Sequence, residues 1–197
     1  MVQVSQLAVV LASASPRRRD LLDLIGIRHT VSPADVDESL HPGELPEAYA
    51  ERLARAKAEK LADEQPDALI IGADTIVVID DTVLGKPQDV GDAERMLGLL
   101  SGRSHTVMTA VAVNYNGKTV STVEMVDVTF RPLSEDEIRS YLQTGEPMDK
   151  AGAYGIQGFG ATIVRRIDGD YFAVMGLSLV QLVALMAEAG VSYDFGR

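Results

Sequence analysis

The 197-residue chain has no cysteine and no tryptophan. Without thiols there is no disulfide framework, no thiolate zinc site and no cysteine nucleophile, a pattern that fits a reducing compartment. Aromatic residues make up only 5% of the chain, so the core has to be aliphatic and base-stacking platforms for nucleic acid are disfavoured. Cations are also in deficit. Against 29 Asp and Glu stand 18 Lys and Arg, and the formal charge of −11 opposes the diffuse phosphate attraction on which nucleic-acid binders rely. The three histidines, His29, His41 and His105, show no HxxH or HExxH spacing, which argues against a histidine metal site. Neither a GxSxG elbow nor a GxxxxGK[ST] loop occurs. The apolar start at residues 7–12 is too short to span a bilayer and lacks the basic flank of a secretory signal. A cytoplasmic protein with neither membrane nor nucleic acid as partner is expected.

What is present suits one globular domain over residues 1–197, with 46% hydrophobic and 24% charged residues. Residues 7–12 read as a buried strand, followed by a serine-rich turn with Ser15 as N-cap and Pro16 in the first turn of a helix that Gly26 stops. A short strand at residues 29–32 leads through an acidic loop to a long helix over residues 47–62. A strand at residues 69–79 precedes a helix near residues 92–100. Asn116-Gly117 and Asp168-Gly169 are dipeptides of tight hairpins, the first joining residues 105–115 to 118–130 and the second 161–167 to 171–175. Helices at residues 134–144, opened by a Ser134/Glu137 capping box, and 178–188 complete the pattern. The expected fold is α/β, with a mixed, partly antiparallel sheet flanked by helices and two lobes around a cleft.

Asp74 is the most informative residue, because it puts a carboxylate inside the apolar run Leu69-Ile70-Ile71-Gly72-Ala73-Asp74-Thr75-Ile76-Val77. A charge buried there requires a partner or a task. Ser13-Ala14-Ser15-Pro16-Arg17-Arg18 is a strand-to-helix turn with hydroxyls, unpaired helix N–H groups and guanidinium forks, suited to an anionic oxygen. Cations at a helix N-terminus are electrostatically misplaced unless an anion sits there; the alternative is an ordinary N-cap with a solvated basic turn. Asp35, Asp37 and Glu38 supply loop carboxylates of the kind that hold Mg²⁺ or Mn²⁺ with substrate oxygens, or form a plain solvated loop, the preferred reading for Asp35. Lys86 between Gly85 and Pro87 is a phosphate ligand or a surface-turn lysine. Residues 149–160 hold four glycines whose backbone can approach a ligand closely, unless the segment is only a flexible connection. Gln157 within it offers an amide able to read a base edge.

In order along the chain, Ser13-x-Ser15-Pro16-Arg17-Arg18, Asp37-Glu38, Gly72-Ala73-Asp74-Thr75, Gly85-Lys86-Pro87, Ser101-Gly102-Arg103-Ser104-His105 and Asp149-Lys150-Ala151-Gly152-Ala153-Tyr154-Gly155-Ile156-Gln157-Gly158 resemble the Maf family of nucleoside triphosphate pyrophosphatases. The resemblance implies a cytoplasmic enzyme with an inosine triphosphate pyrophosphatase-like fold, a divalent metal, and cleavage of nucleoside triphosphates to monophosphate and diphosphate. The GAYGIQG form resembles the branch acting on dTTP and UTP. By the same resemblance Asp74 is the general base, and Arg17, Thr75 and Gln157 set substrate choice. A homodimer is expected by analogy, and the family's association with septum formation has no counterpart in any spacing. The chain departs from the family pattern at Asp20, where Glu is usual, and at Ser178, where Pro is usual.

The expected mechanism has Arg17, Arg18, Lys57 and Lys86 holding the triphosphate, with Ser13 and Ser15 lining the turn. Glu38 and Asp74 hold Mg²⁺ or Mn²⁺, Asp74 activates water, and Thr75 and Gln157 bond a pyrimidine. The rivals are a nucleotide-binding regulator of septum formation without turnover, and a pyrophosphatase of 7-methyl-GTP or non-standard purine triphosphates.

Overall fold

Fifteen helices and strands follow one another in the computed structural model, which describes residues 1–196. They are β1 (Val2–Gln3), β2 (Val9–Leu11), α1 (Pro16–Leu24), β3 (Thr30–Val31), α2 (Pro46–Glu64), β4 (Leu69–Ile79), β5 (Thr82–Leu84), α3 (Val90–Leu100), β6 (Ser104–Tyr115), β7 (Lys118–Phe130), α4 (Glu135–Gln143), β8 (Val164–Asp168), α5 (Tyr171–Met175), α6 (Leu179–Glu188) and β9 (Val191–Ser192). Short 3-10 turns lie between some of them. The main sheet has the order β3-β2-β4-β6-β7-β8, with β5 paired to β4.

The sheet is mixed, as expected. Its first part is more regular than the sequence reading allowed, because β2 pairs in parallel with both β3 and β4, and helices α1 and α2 make the crossovers. A strand covered on both faces reads as a continuous apolar run, which is what Val9-Val10-Leu11 shows, each residue buried. The later part is built from antiparallel pairs, β4 with β5 and β7 with β8. Asn116 and Gly117 link β6 to β7 with φ of 51° and 74°, the two positive values that a two-residue hairpin turn needs.

The second expected hairpin does not form. Residues 171–175 make the short helix α5 instead of a strand, although Tyr, Phe and Val favour strands. Asp170 explains the difference: its Oδ1 accepts the Phe172 N–H at 2.8 Å and its carbonyl accepts the Val174 N–H at 3.3 Å, so it starts a helical turn. The capping box of Ser134 and Glu137 is present at α4. Ser178, the departure from the family's proline, caps α6 by accepting the Gln181 N–H.

The chain divides into two compact units. One comprises Met1–Asp74, Thr109–Glu124 and the chain from Gly176; its core is aliphatic, with Leu11, Leu22, Leu53, Ile70, Ile71 and Leu182 buried. The other comprises Thr75–Met108 and Met125–Met175, where Val77, Leu84, Leu97, Leu100, Phe130 and Tyr154 share a core and α3 packs on α4. No helix among the described residues is long and apolar enough to cross a membrane.

Candidate active site

In the first unit the site grows from the contact of α2 with β4. Gly72 lies where a Cβ would be 2.2 Å from the Ala54 carbonyl oxygen and 2.9 Å from the Ala58 nitrogen, so the helix backbone rests directly on the strand. Glycine opposite two alanines is what permits this approach. Side chains alternate along a strand, so Asp74 projects from the same face as Gly72. Lys57, on the α2 turn between Ala54 and Ala58, reaches it: Nζ donates to Asp74 Oδ1 at 2.7 Å and pairs with Glu38 Oε1 at 2.7 Å. The Lys57 and Asp74 side chains are only 10% and 13% exposed, whereas Glu38 is 58% exposed. The largely covered aspartate therefore has its partner, and the loop glutamate joins it.

Arg18, expected to bind phosphate, is anchored within the protein. It is buried, and its Nε donates to the Gly176 carbonyl at 2.8 Å while Nη1 donates to Ser13 Oγ and to the Ala73 carbonyl, both at 2.9 Å. These bonds tie the strand-to-helix turn to the peptide that precedes Asp74. Burial pushes the Arg18 guanidinium below its ordinary value; the charges of Asp74 and Glu38 oppose that shift, and Arg17 adds to it. Ser13 Oγ also accepts the Ser15 N–H at 3.2 Å. Ser15 is the N-cap residue of α1, yet its side chain makes no capping bond, leaving Ser13 to order the turn. Arg17 is half-buried in the first turn of α1.

The acidic loop is held to α2. Tyr49 Oη donates to the Glu38 carbonyl at 2.7 Å, and Arg52 forks onto Glu44 at 2.6 and 2.8 Å while donating to the Ser39 carbonyl at 2.9 Å. The Glu44 carboxyl is held down at about 2, chiefly by its hydrogen bonds to the Arg52 guanidinium. Lys60 donates to the Asp35 carbonyl, so Asp35 takes part through its backbone. Sequence reasoning missed Tyr49 and Arg52 because nothing in a helix's polar face says which loop it will anchor.

Thr75, Lys86 and Gln157 belong to the second unit. Thr75 follows Asp74 on β4 and is half-buried; Lys86 and Gln157 are exposed. The Lys86 turn and the glycine-rich segment meet, since the Gly152 N–H donates to the Gly85 carbonyl at 3.0 Å. Two of the glycines leave no room for a side chain against their own protein neighbours. A Cβ on Gly152 would lie 2.9 Å from Val77 Cγ2, and one on Gly160 would lie 2.0 Å from the Gly155 carbonyl oxygen.

Residues 8–189 match the family model of Maf-like proteins. The chain belongs to the Maf-like family. Relatives include a dTTP/UTP pyrophosphatase of Syntrophomonas wolfei, 53% identical over 92% of this chain and 97% of the relative. Another of the same description from Moorella thermoacetica is 53% identical over 93% and 95%, and one from Aquifex aeolicus is 49% identical over 91% and 94%. Among solved structures, a HAM1 protein from Coxiella burnetii is similar at a TM-score of 0.57 and 16% identity, covering 93% of this chain and 100% of that one, which shows a shared fold.

For this Maf-like chain the donor set limits which cation fits. The Glu38 and Asp74 oxygens lie 2.7 Å from the same nitrogen, close enough to share one positive centre. Two hard carboxylate ligands with phosphate oxygens and water completing the shell suit Mg²⁺ or Mn²⁺. Among the described residues no group of three or more His, Cys, Asp or Glu is placed to hold a metal ion.

Proposed function

We propose that this protein hydrolyses dTTP and UTP to the nucleoside monophosphate and diphosphate, removing these or modified pyrimidine nucleotides from the pool. The observation that carries the reading is the Lys57 ammonium bridging Glu38 and Asp74 at 2.7 Å each, in a chain about half identical to relatives described as dTTP/UTP pyrophosphatases.

In this mechanism Asp74 is the general base. Lys57 holds one carboxylate oxygen in the nucleotide-free protein, and in the reaction the other accepts the proton of a water molecule as that water attacks the α-phosphorus. The new bond joins the water oxygen to phosphorus. The bridging oxygen leaves with its electron pair on diphosphate, and no covalent intermediate forms. Arg17 and Lys86 contribute positive charge to the triphosphate, while Arg18, through Ala73 and Ser13, keeps the peptide before Asp74 and the Ser13–Ser15 turn in register. Mg²⁺ or Mn²⁺ held by Glu38 and Asp74 would offset charge on the phosphates when bound. Thr75 and Gln157 hydrogen-bond the pyrimidine, and a base of the wrong donor pattern leaves their polar groups unpaired. The catalytic setting is cytoplasmic.

The test is a panel of nucleoside triphosphates, including 7-methyl-GTP and ITP, incubated with Mg²⁺ or Mn²⁺ and resolved by chromatography. The expected products are UMP and dTMP with diphosphate. Release of nucleoside diphosphate and phosphate, binding without turnover, or preference for a purine would each contradict the proposal.

A further inference from the structure

We infer that Glu146 is a positioning residue for substrate choice: its carboxylate closes the Gly155–Gly160 loop and so sets how Gln157 is presented. The inference rests on the proposed pyrimidine-reading role of Gln157, and the loop geometry behind it stands on its own.

α4 ends at Gln143, and Gly145, with φ of 74°, turns the chain so that its N–H meets the Leu142 carbonyl at 3.1 Å. The left-handed turn is one that glycine makes without strain. It delivers Glu146, whose own N–H donates to Thr144 Oγ1 at 3.2 Å. From there Oε2 accepts the Phe159 N–H at 2.9 Å, and Oε1 accepts the Gly160 N–H at 3.0 Å and the Tyr141 hydroxyl at 2.8 Å.

Tyr141 completes the closure from the other end of the loop, because its hydroxyl oxygen accepts the Gly155 N–H at 3.1 Å. Burial pushes the Tyr141 phenol above its ordinary value, so it stays a neutral donor to Glu146. Gly155 and Gly160 are thus linked through two side chains, and the exposed Gln157 is carried on the short segment between them. The fit leaves no slack. A Cβ on Gly158, where φ is 62°, would lie 2.4 Å from Glu146 Oε2, and one on Gly160 would lie 2.7 Å from the Tyr141 hydroxyl.

A carboxylate accepting backbone N–H groups makes strong, directional bonds. Without them those amides turn to water and the loop samples other conformations, so the amide of Gln157 no longer meets the base in one orientation. The Lys57 bridge to Glu38 and Asp74 is made without Glu146, whose carboxylate bonds to Tyr141, Phe159 and Gly160. Base discrimination is therefore the property that suffers, and turnover at saturation is largely kept.

The experiment uses full-length protein and two substitutions, Glu146→Ala and the milder Glu146→Gln. For Glu146→Ala, the ratio of kcat/KM for UTP to that for a purine triphosphate is expected to fall roughly 10-fold, mainly through the KM for UTP, with kcat for UTP changing less than about 3-fold. Because the effect runs through Gln157, Glu146→Ala added to Gln157→Ala should lower the ratio by less than about 2-fold more. An unchanged ratio, a uniform loss for every nucleotide, or full additivity with Gln157→Ala overturns the inference.

Hydrogen exchange of the nucleotide-free protein gives a second readout. Faster exchange at Phe159 and Gly160 is expected in Glu146→Ala, and Glu146→Gln, which keeps one acceptor oxygen, should retain protection at one of the two. Unchanged exchange in Glu146→Ala overturns the inference even where activity falls. Failure of the wild type to prefer pyrimidines would sink the functional reading instead, and the exchange rates would still decide whether Glu146 holds the loop.

Discussion

Gly72 and Ala54 meet backbone to backbone: a Cβ on the glycine would sit 2.2 Å from the alanine's carbonyl oxygen. Since that carbonyl belongs to helix backbone, Gly72→Ala has to push α2 off β4. Overpacking of this kind costs about 1–3 kcal/mol. The same displacement moves Lys57 away from Asp74, so nucleotide hydrolysis should fall in the folded variant. Chemical denaturation and UTP turnover measured together check this; an unshifted midpoint with full activity would show that the close approach does not matter.

Lys57 stands between two carboxylates that would otherwise share a metal ion. In nucleotide-free protein its ammonium competes for that position, so Lys57→Met is expected to bind Mn²⁺ at least ~10-fold more tightly than wild type, the ion replacing the lost positive charge. The variant should also lose stability without metal and regain it on Mn²⁺ addition. Calorimetric titration and thermal melts measure both, and equal Mn²⁺ affinity would speak against a metal on this pair.

His105 supplies a pH dependence separate from turnover. Its Nε2 is 2.7 Å from the Tyr154 hydroxyl, its ring packs edge-on against Phe130 and Tyr154, and burial pushes it down from 6.5 to about 4 despite the Asp127 charge. A histidine depressed in the folded state costs nothing above its unfolded value, where it is neutral in both states. Stability is thus full above pH 6.5 and is lost as the pH falls toward 4, by about 3 kcal/mol in all. His105→Gln should flatten the stability profile across that window in urea unfolding. An equally steep profile would assign the loss to other groups.

Much of the site could be read from residue types that break a local pattern. Asp74 in an apolar strand demanded a partner, and the structure supplies Lys57 and, through it, Glu38. The β6–β7 hairpin was legible because Asn116-Gly117 carries its own backbone preference. The anchoring of Arg18 to the Ala73 and Gly176 carbonyls was not legible, because those residues lie far away in sequence. Residues 171–175 form a helix where the Asp168-Gly169 dipeptide predicts the return strand of a hairpin, because the Asp170 side chain starts a helical turn there. Tyr49 and Glu146 carry no such signal, since each acts on a backbone group that only tertiary packing brings near it.

The most direct measurement is steady-state UTP hydrolysis by Asp74→Asn at saturating Mg²⁺, with thermal unfolding as the folding control. The substitution preserves shape and removes the proton acceptor, so kcat should drop at least ~100-fold while the protein stays folded. Diphosphate release within a few-fold of wild type would contradict the assignment of Asp74 as the base.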